Sequence, residues 1–167
     1  MPDIRLVQDP RWPRYSVSVD WSLLPDGTLD DTQALASAVI VALGTDRLAE
    51  PDDILPNPDS TDRAGWWGDL DAQELFDGWP IGTRLWLLRR TKIVGPESPE
   101  GATLARVRQF IQEALQPFVD LRIVSSFTVQ ASRVGVERID AYVVLYRGPK
   151  SPVELRFQIL WDEIERG

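Results

Sequence analysis

The sequence contains no cysteine and no histidine among its 167 residues, and a single methionine. Without cysteine there are no disulfides, no thiolate catalysis and no zinc–thiolate centres. Without histidine the usual general base near neutral pH and the commonest transition-metal ligand are gone, and Ser/His/Asp and Cys/His catalytic sets go with them. Any catalysis would have to rest on Asp, Glu, Lys, Tyr, Ser or Thr, so the composition points away from an enzyme. No run of about 18 apolar residues is present, so no membrane span is expected. Met1-Pro2-Asp3-Ile4-Arg5 carries no apolar signal segment, and the product is expected to start in the host cytoplasm. Positive charge is also scarce: 18 Lys and Arg against 26 Asp and Glu leave a net charge of −8. Such a surface repels a phosphate backbone, so no nucleic acid is expected as a partner.

What is present is a chain of ordinary single-domain size with 43% hydrophobic residues, enough to bury a core unaided. One domain spanning residues 1–167 is the expectation. Thirteen prolines and 11 glycines fall in clusters, which predicts short elements joined by specified turns. Seven tryptophans are many for this length, and dense cores and permanent interfaces both favour them.

Tyr15, Val17, Val19 and Trp21 alternate with polar residues, and Ile4 and Leu6 begin in the same way. This period of two predicts an N-terminal β-ribbon over residues 1–28, linked through Pro10 to Pro13 and ended by Pro25-Asp26-Gly27. Leu35, Ala38, Val39, Ala42 and Leu43 lie on one helical stripe, with capping oxygens at Asp30 to Thr32 and a left-handed cap expected at Gly44. Residues 45–80 have little periodicity and read as a long loop rich in Trp, Asp and Pro. A short helix is predicted over Ile81 to Lys92. A long amphipathic one carries Leu104, Val107, Phe110, Ile111, Ala114, Leu115 and Phe118 and ends around Pro117. Residues 122–163 then read as an antiparallel β-meander, with turns at Val134 to Glu137 and Gly148 to Pro152. Its middle strand is apolar on both faces, which predicts that both are covered. The fold class is α+β: two to three helices over residues 29–121 packed on a small antiparallel C-terminal sheet, with the ribbon appended.

Several constellations invite a chemical reading. The loop carboxylates Asp46, Glu50, Asp52, Asp53, Asp59, Asp62 and Asp69 lack the alternating ligands, central glycine and closing glutamate of a calcium loop, so a solvated loop is preferred. A carboxylate pair suited to glycan hydrolysis has no specificity when 26 acids are available. Gly65-Trp66-Trp67-Gly68-Asp69 is more pointed. One tryptophan can anchor the loop while its neighbour meets a partner, or both can seal the domain's own edge. Arg63, Arg84, Arg89 and Arg90 form either an internal network with the loop aspartates or a charged interface rim. A strand over Val153 to Trp161, if at a sheet edge, offers backbone groups to a strand from another chain.

Three segments occur in order: Thr45-Asp46-Arg47, then Asp62-Arg63-Ala64-Gly65-Trp66-Trp67-Gly68-Asp69, then Gly82-Thr83-Arg84-Leu85-Trp86-Leu87-Leu88-Arg89-Arg90. Together they resemble the Mu-like contractile-phage baseplate wedge protein family, from about Leu35 to Trp161. That family is similar to the sheath-initiator proteins of larger contractile phages, once labelled tail lysozymes. The resemblance implies a virion structural protein of a phage or prophage tail baseplate, an adaptor without cofactor or catalysis. Its implied partners are a larger baseplate wedge protein and the tail sheath or tube proteins. Asp46, Arg47, Arg63, Trp66, Trp67, Asp69, Arg84 and Trp86 are the residues that the motifs offer as partner contacts. Ala64 and Asp52 depart from the pattern, the former where relatives often carry a second arginine, the latter after Glu50-Pro51. The alternative reading is a carboxylate-dependent cell-wall glycan hydrolase of the tail.

Overall fold

The computed structural model describes residues 6–8, 19–21, 23–28, 34–66, 74, 78–79, 81–89, 100–134 and 138–160. Tyr15 and Val17, the Pro10 to Pro13 link, the capping residues 30–32, Arg90 and Trp161 lie outside the described residues. The chain divides into two compact units, residues 1–41 and 42–167, with the division inside the first helix.

In the first unit β1 (Leu6–Gln8) pairs antiparallel with β2 (Val19–Trp21), Leu6 opposite Trp21 and Gln8 opposite Val19, as the alternating pattern predicts. The expected turn follows. Gly27 donates to the Leu24 carbonyl at 2.9 Å with φ +82, a conformation that glycine adopts without strain. The Thr28 hydroxyl and the Thr28 backbone N–H both donate to the Asp26 carboxylate, and this holds the Asp26 carboxyl below its ordinary range. Helix α1 (Ala34–Gly44) buries Ser37, Val39, Ala42 and Leu43. Gly44 is its last helical residue and is not left-handed, so the cap expected there does not form.

The second unit holds the long helix and the sheet. Helix α2 (Glu100–Asp120) buries Val107, Phe110, Ile111, Ala114, Leu115 and Phe118 of the predicted stripe, with Leu104 half-buried. Each of the buried side chains except Ala114 contributes about 1.5–3 kcal/mol by its burial. The helix does not stop at Pro117. It runs through it to Asp120, because the ring removes only one backbone donor near the helix end, while Phe118, 2% exposed, gains the core and an edge-on contact with Trp79 at 5.1 Å. The helix ends in a Schellman arrangement. Ile123 N–H donates to the Phe118 carbonyl and Arg122 N–H to that of Val119, with Arg122 left-handed at φ +57 where glycine is usual.

The sheet is a meander in the order β3 (Ser126–Val134), β4 (Arg138–Arg147), β5 (Lys150–Leu160), antiparallel throughout. Ile139, Ala141, Val143 and Leu145 line one face of β4 and are almost wholly buried, and α2 packs against β3. The second face of β4 is less covered than its apolar run predicts: Tyr142 is half-buried and Tyr146 is 39% exposed. Its neighbours there are polar, Ser126, Thr128 and Gln130 on β3 and Glu154 on β5, and the Tyr142 hydroxyl donates to Glu154. The aromatic rings thus lie across a polar sheet face, which the apolar count alone does not reveal. The last turn is also tighter than expected, since β5 begins at Lys150 and takes Pro152 into the strand. Leu145 pairs with Val153 and Arg147 with Lys150, so Ser151 and Pro152 together face Tyr146 in a bulge. A proline is tolerated there because β5 is an edge strand and a bulge needs no ladder donor. Among the described residues no helix is long and apolar enough to cross a membrane.

Candidate functional site

After α1 the chain runs beside the segment that enters a short 3₁₀ helix, η1 (Arg84–Leu88). Thr83 N–H donates to the Thr45 carbonyl at 2.9 Å and Arg47 N–H to the Thr83 carbonyl at 3.1 Å, a parallel bridge that sets Asp46 against Thr83. Only glycine permits this approach at residue 82. Its φ is +112, and a Cβ there would lie 2.7 Å from the Thr45 carbonyl oxygen. Of the predicted helix over Ile81 to Lys92, the start gives way because Gly82 and Thr83 are spent on the bridge, Arg84–Leu88 forms η1, and residues 90–92 lie outside the described residues. Trp86, Leu87 and Leu88 enter the core.

The loop is closed at its neck. Ala49 N–H donates to the Arg63 carbonyl at 3.0 Å, and the Arg63 guanidinium reaches back to the Ala49 carbonyl at 3.3 and 3.4 Å. Between these points the Asp53 carboxylate caps the Glu50 N–H at 2.8 Å while Asp53 N–H donates to the Glu50 carbonyl at 3.0 Å. Past the neck, Gly65 at φ +105 leaves room for Leu48, and Ala64 is left-handed at φ +50 with its N–H on the Asp62 carboxylate.

Arg84 is the centre of the assembly. Its guanidinium donates to Asp53 at 2.9 Å and to Glu113 of α2 at 2.6 Å, and it lies 5.0 Å from the centre of the Phe110 ring. One planar cation thus fastens the loop to η1 and to the long helix at once, a geometry lysine cannot reproduce. Burial alone would lower the Arg84 pKa, but the hydrogen bonds to Glu113 and then Asp53 outweigh it and the value is raised. Gln109 supports Glu113 at 2.9 Å, and the buried Thr83 hydroxyl donates to the Phe110 carbonyl at 3.3 Å. Trp86 adds a second fastening, its indole N–H on the Arg47 carbonyl at 2.8 Å.

Of the eight residues offered by the sequence, Asp46, Arg47, Arg63, Arg84 and Trp86 meet in this assembly. Asp46 accepts from Arg89 at 2.8 Å, and Arg47 pairs with Glu50 at 3.1 Å. Trp66 is half-buried, and Trp67 and Asp69 lie outside the described residues. Arg84 and Trp86 face inward, at 13% side-chain and 7% residue exposure, because each satisfies buried polar groups of its own chain. Their place is to position the loop, whereas Asp46, Arg47 and Arg89 lie nearer solvent. For Arg84 and Arg89 the internal network, one of the two alternatives for the arginines, is the one formed. Asp53 serves it from within the acidic loop. Glu113 was not foreseen, and Phe110 and Gly82 were read only as a helix-stripe residue and as part of a motif. The i, i+4 pair of Gln109 and Glu113 on the polar side of α2 was the only available signal for the acid.

Asp53 and Glu113 both bind the Arg84 guanidinium, so this carboxylate pair is engaged in the internal network. Among the described residues no group of three or more metal-ligating side chains is found.

A model of the family described as phage protein GP46 matches residues 35–152. The chain is similar to baseplate protein gp46 of Escherichia phage Mu, 34% identical over 139 residues that cover 83% of this chain and 86% of the relative. It is also similar to the Mu-like prophage FluMu protein gp46 of Haemophilus influenzae, 33% identical over 136 residues, 80% and 82% of the two chains.

Proposed function

Because the chain belongs to the GP46 family of Mu-like phage proteins, we propose that it is a structural component of a phage or prophage tail baseplate. In the finer reading it is a wedge adaptor of a contractile tail. Residues 45–66 and their neighbours meet a larger wedge protein, and the edge strand β5 adds to a strand of the sheath or tube. The observation that carries this reading is the Arg84 fastening. A loop without a hydrophobic core of its own is held in one conformation by Asp53 and Glu113, and it presents Asp46, Arg47 and Arg89 at its rim. A surface kept in one shape by a buried cation suits a permanent partner, since little ordering entropy remains to be lost on binding. The open edge of β5 supports the second contact, because among the described residues no strand lies beside its outer backbone groups.

Co-purification with the wedge and sheath gene products encoded beside this chain tests the proposal, using wild type, Trp67→Ala and a version lacking residues 153–167. Stable co-elution with wild type, with wedge binding lost in Trp67→Ala and sheath binding lost in the truncation, is the expected result. No association under any condition would overturn it.

A further inference from the structure

The turn that follows α2 differs from the rest of this acidic chain. Leu121 and Ile123 are 54% and 45% exposed on either side of Arg122. Arg122 and Ile123, with Val119, Val124, Ser125, Arg147 and Gly148, line an open depression of about 390 Å³, and exposed Lys150, the first residue of β5, pairs with Arg147. Apolar side chains thus surround a basic hollow on a protein whose net charge is −8. An apolar surface rimmed by charge marks a contact site, and its sign asks for an acidic partner with an apolar projection.

The same chain carries such a surface. In the neck-closed loop Ile54 is 80% exposed and Asp52 and Asp59 are exposed as well, and Leu48, just before the neck, is 49% exposed. The loop is fastened to α2 at Glu113, and the helix runs on to Asp120, about 10 Å further, before the basic turn begins. The two surfaces thus belong to different segments of one compact unit and are opposite in charge. We propose that the basic hollow at the end of α2 receives the acidic loop, led by Ile54, of a second copy of this chain. Such a contact is head to tail, so it leaves a free loop and a free hollow at the ends and continues until a ring closes. The proposal is independent of the baseplate reading.

Sedimentation velocity of the purified full chain over a concentration series tests it, with variants at each surface. Arg122→Gly removes the charge and relieves a left-handed non-glycine residue, so its melting temperature stays level or rises. Its self-association should nonetheless weaken by about tenfold, the worth of one charge-assisted contact. Arg122→Asp and Ile54→Asp should each be monomeric alone. Mixed, they should form dimers and nothing larger, because one keeps an intact loop and the other an intact hollow. A wild type that stays monomeric at every concentration, variants that associate as wild type does, or a mixture that stays monomeric would each overturn the proposal.

Discussion

In β4 the inward side chains Ile139, Ala141, Val143 and Leu145 are at most 1% exposed, whereas in residues 45–66 only Ala49 is buried. The two regions belong to one compact unit and are held by different means. The sheet rests on many apolar contacts, none decisive, and removing any one lowers the stability of the whole. The loop rests on a few directional bonds, to Arg84, Thr83, Trp86 and Arg63, and removing one of these frees the segment it holds while the rest stays folded. A surface meant for a partner benefits from the second arrangement, because its shape is fixed without a core of its own.

Substitutions on each side break or sharpen this contrast. Leu145→Ala should cost about 4 kcal/mol, as for other wholly buried leucines, and lower the denaturation midpoint seen by every probe. Arg84→Ala should cost about 3 kcal/mol by stranding Asp53 and Glu113. Its signature is local: amide exchange should accelerate at Glu50, Asp53 and Ala49 and stay slow in β4. Arg84→Lys should recover only part of the loss, since an ammonium does not span both carboxylates. Gly82→Ala should cost about 2 kcal/mol through the left-handed backbone and the clash with the Thr45 carbonyl, again with the loop loosened first. Arg89→Ala should change stability by less than about 0.5 kcal/mol, because its bond to Asp46 is exposed. Equal exchange in loop and sheet for Arg84→Ala would show that the two regions are not distinct.

The same contrast governs what could be read beforehand. The C-terminal meander, with its apolar middle strand, and the stripe from Leu104 to Phe118 were legible because packing against a face leaves apolar residues in a regular pattern. Pro117 misled, since local helix-breaking yields where Phe118 has a core to enter. Pro152 misled for a related reason, since an edge bulge absorbs it. The loop was legible only as a lack of period. Its fastening joins Asp53, Arg84 and Glu113, about 30 residues apart at each step, and no local rule pairs residues so distant. Arginine and aspartate could be named as candidates, but not which of them turns inward. That depended on Gly82, whose missing Cβ lets two backbones meet.

The account stands most directly on whether the protein is a built-in part of a tail. Particles should be purified from cells that carry the gene and from cells that lack it, then imaged and their proteins identified. The account predicts that the chain is found in the particles, at the baseplate end, and that without it no sheathed tails form. Complete sheathed tails that lack the chain would contradict it.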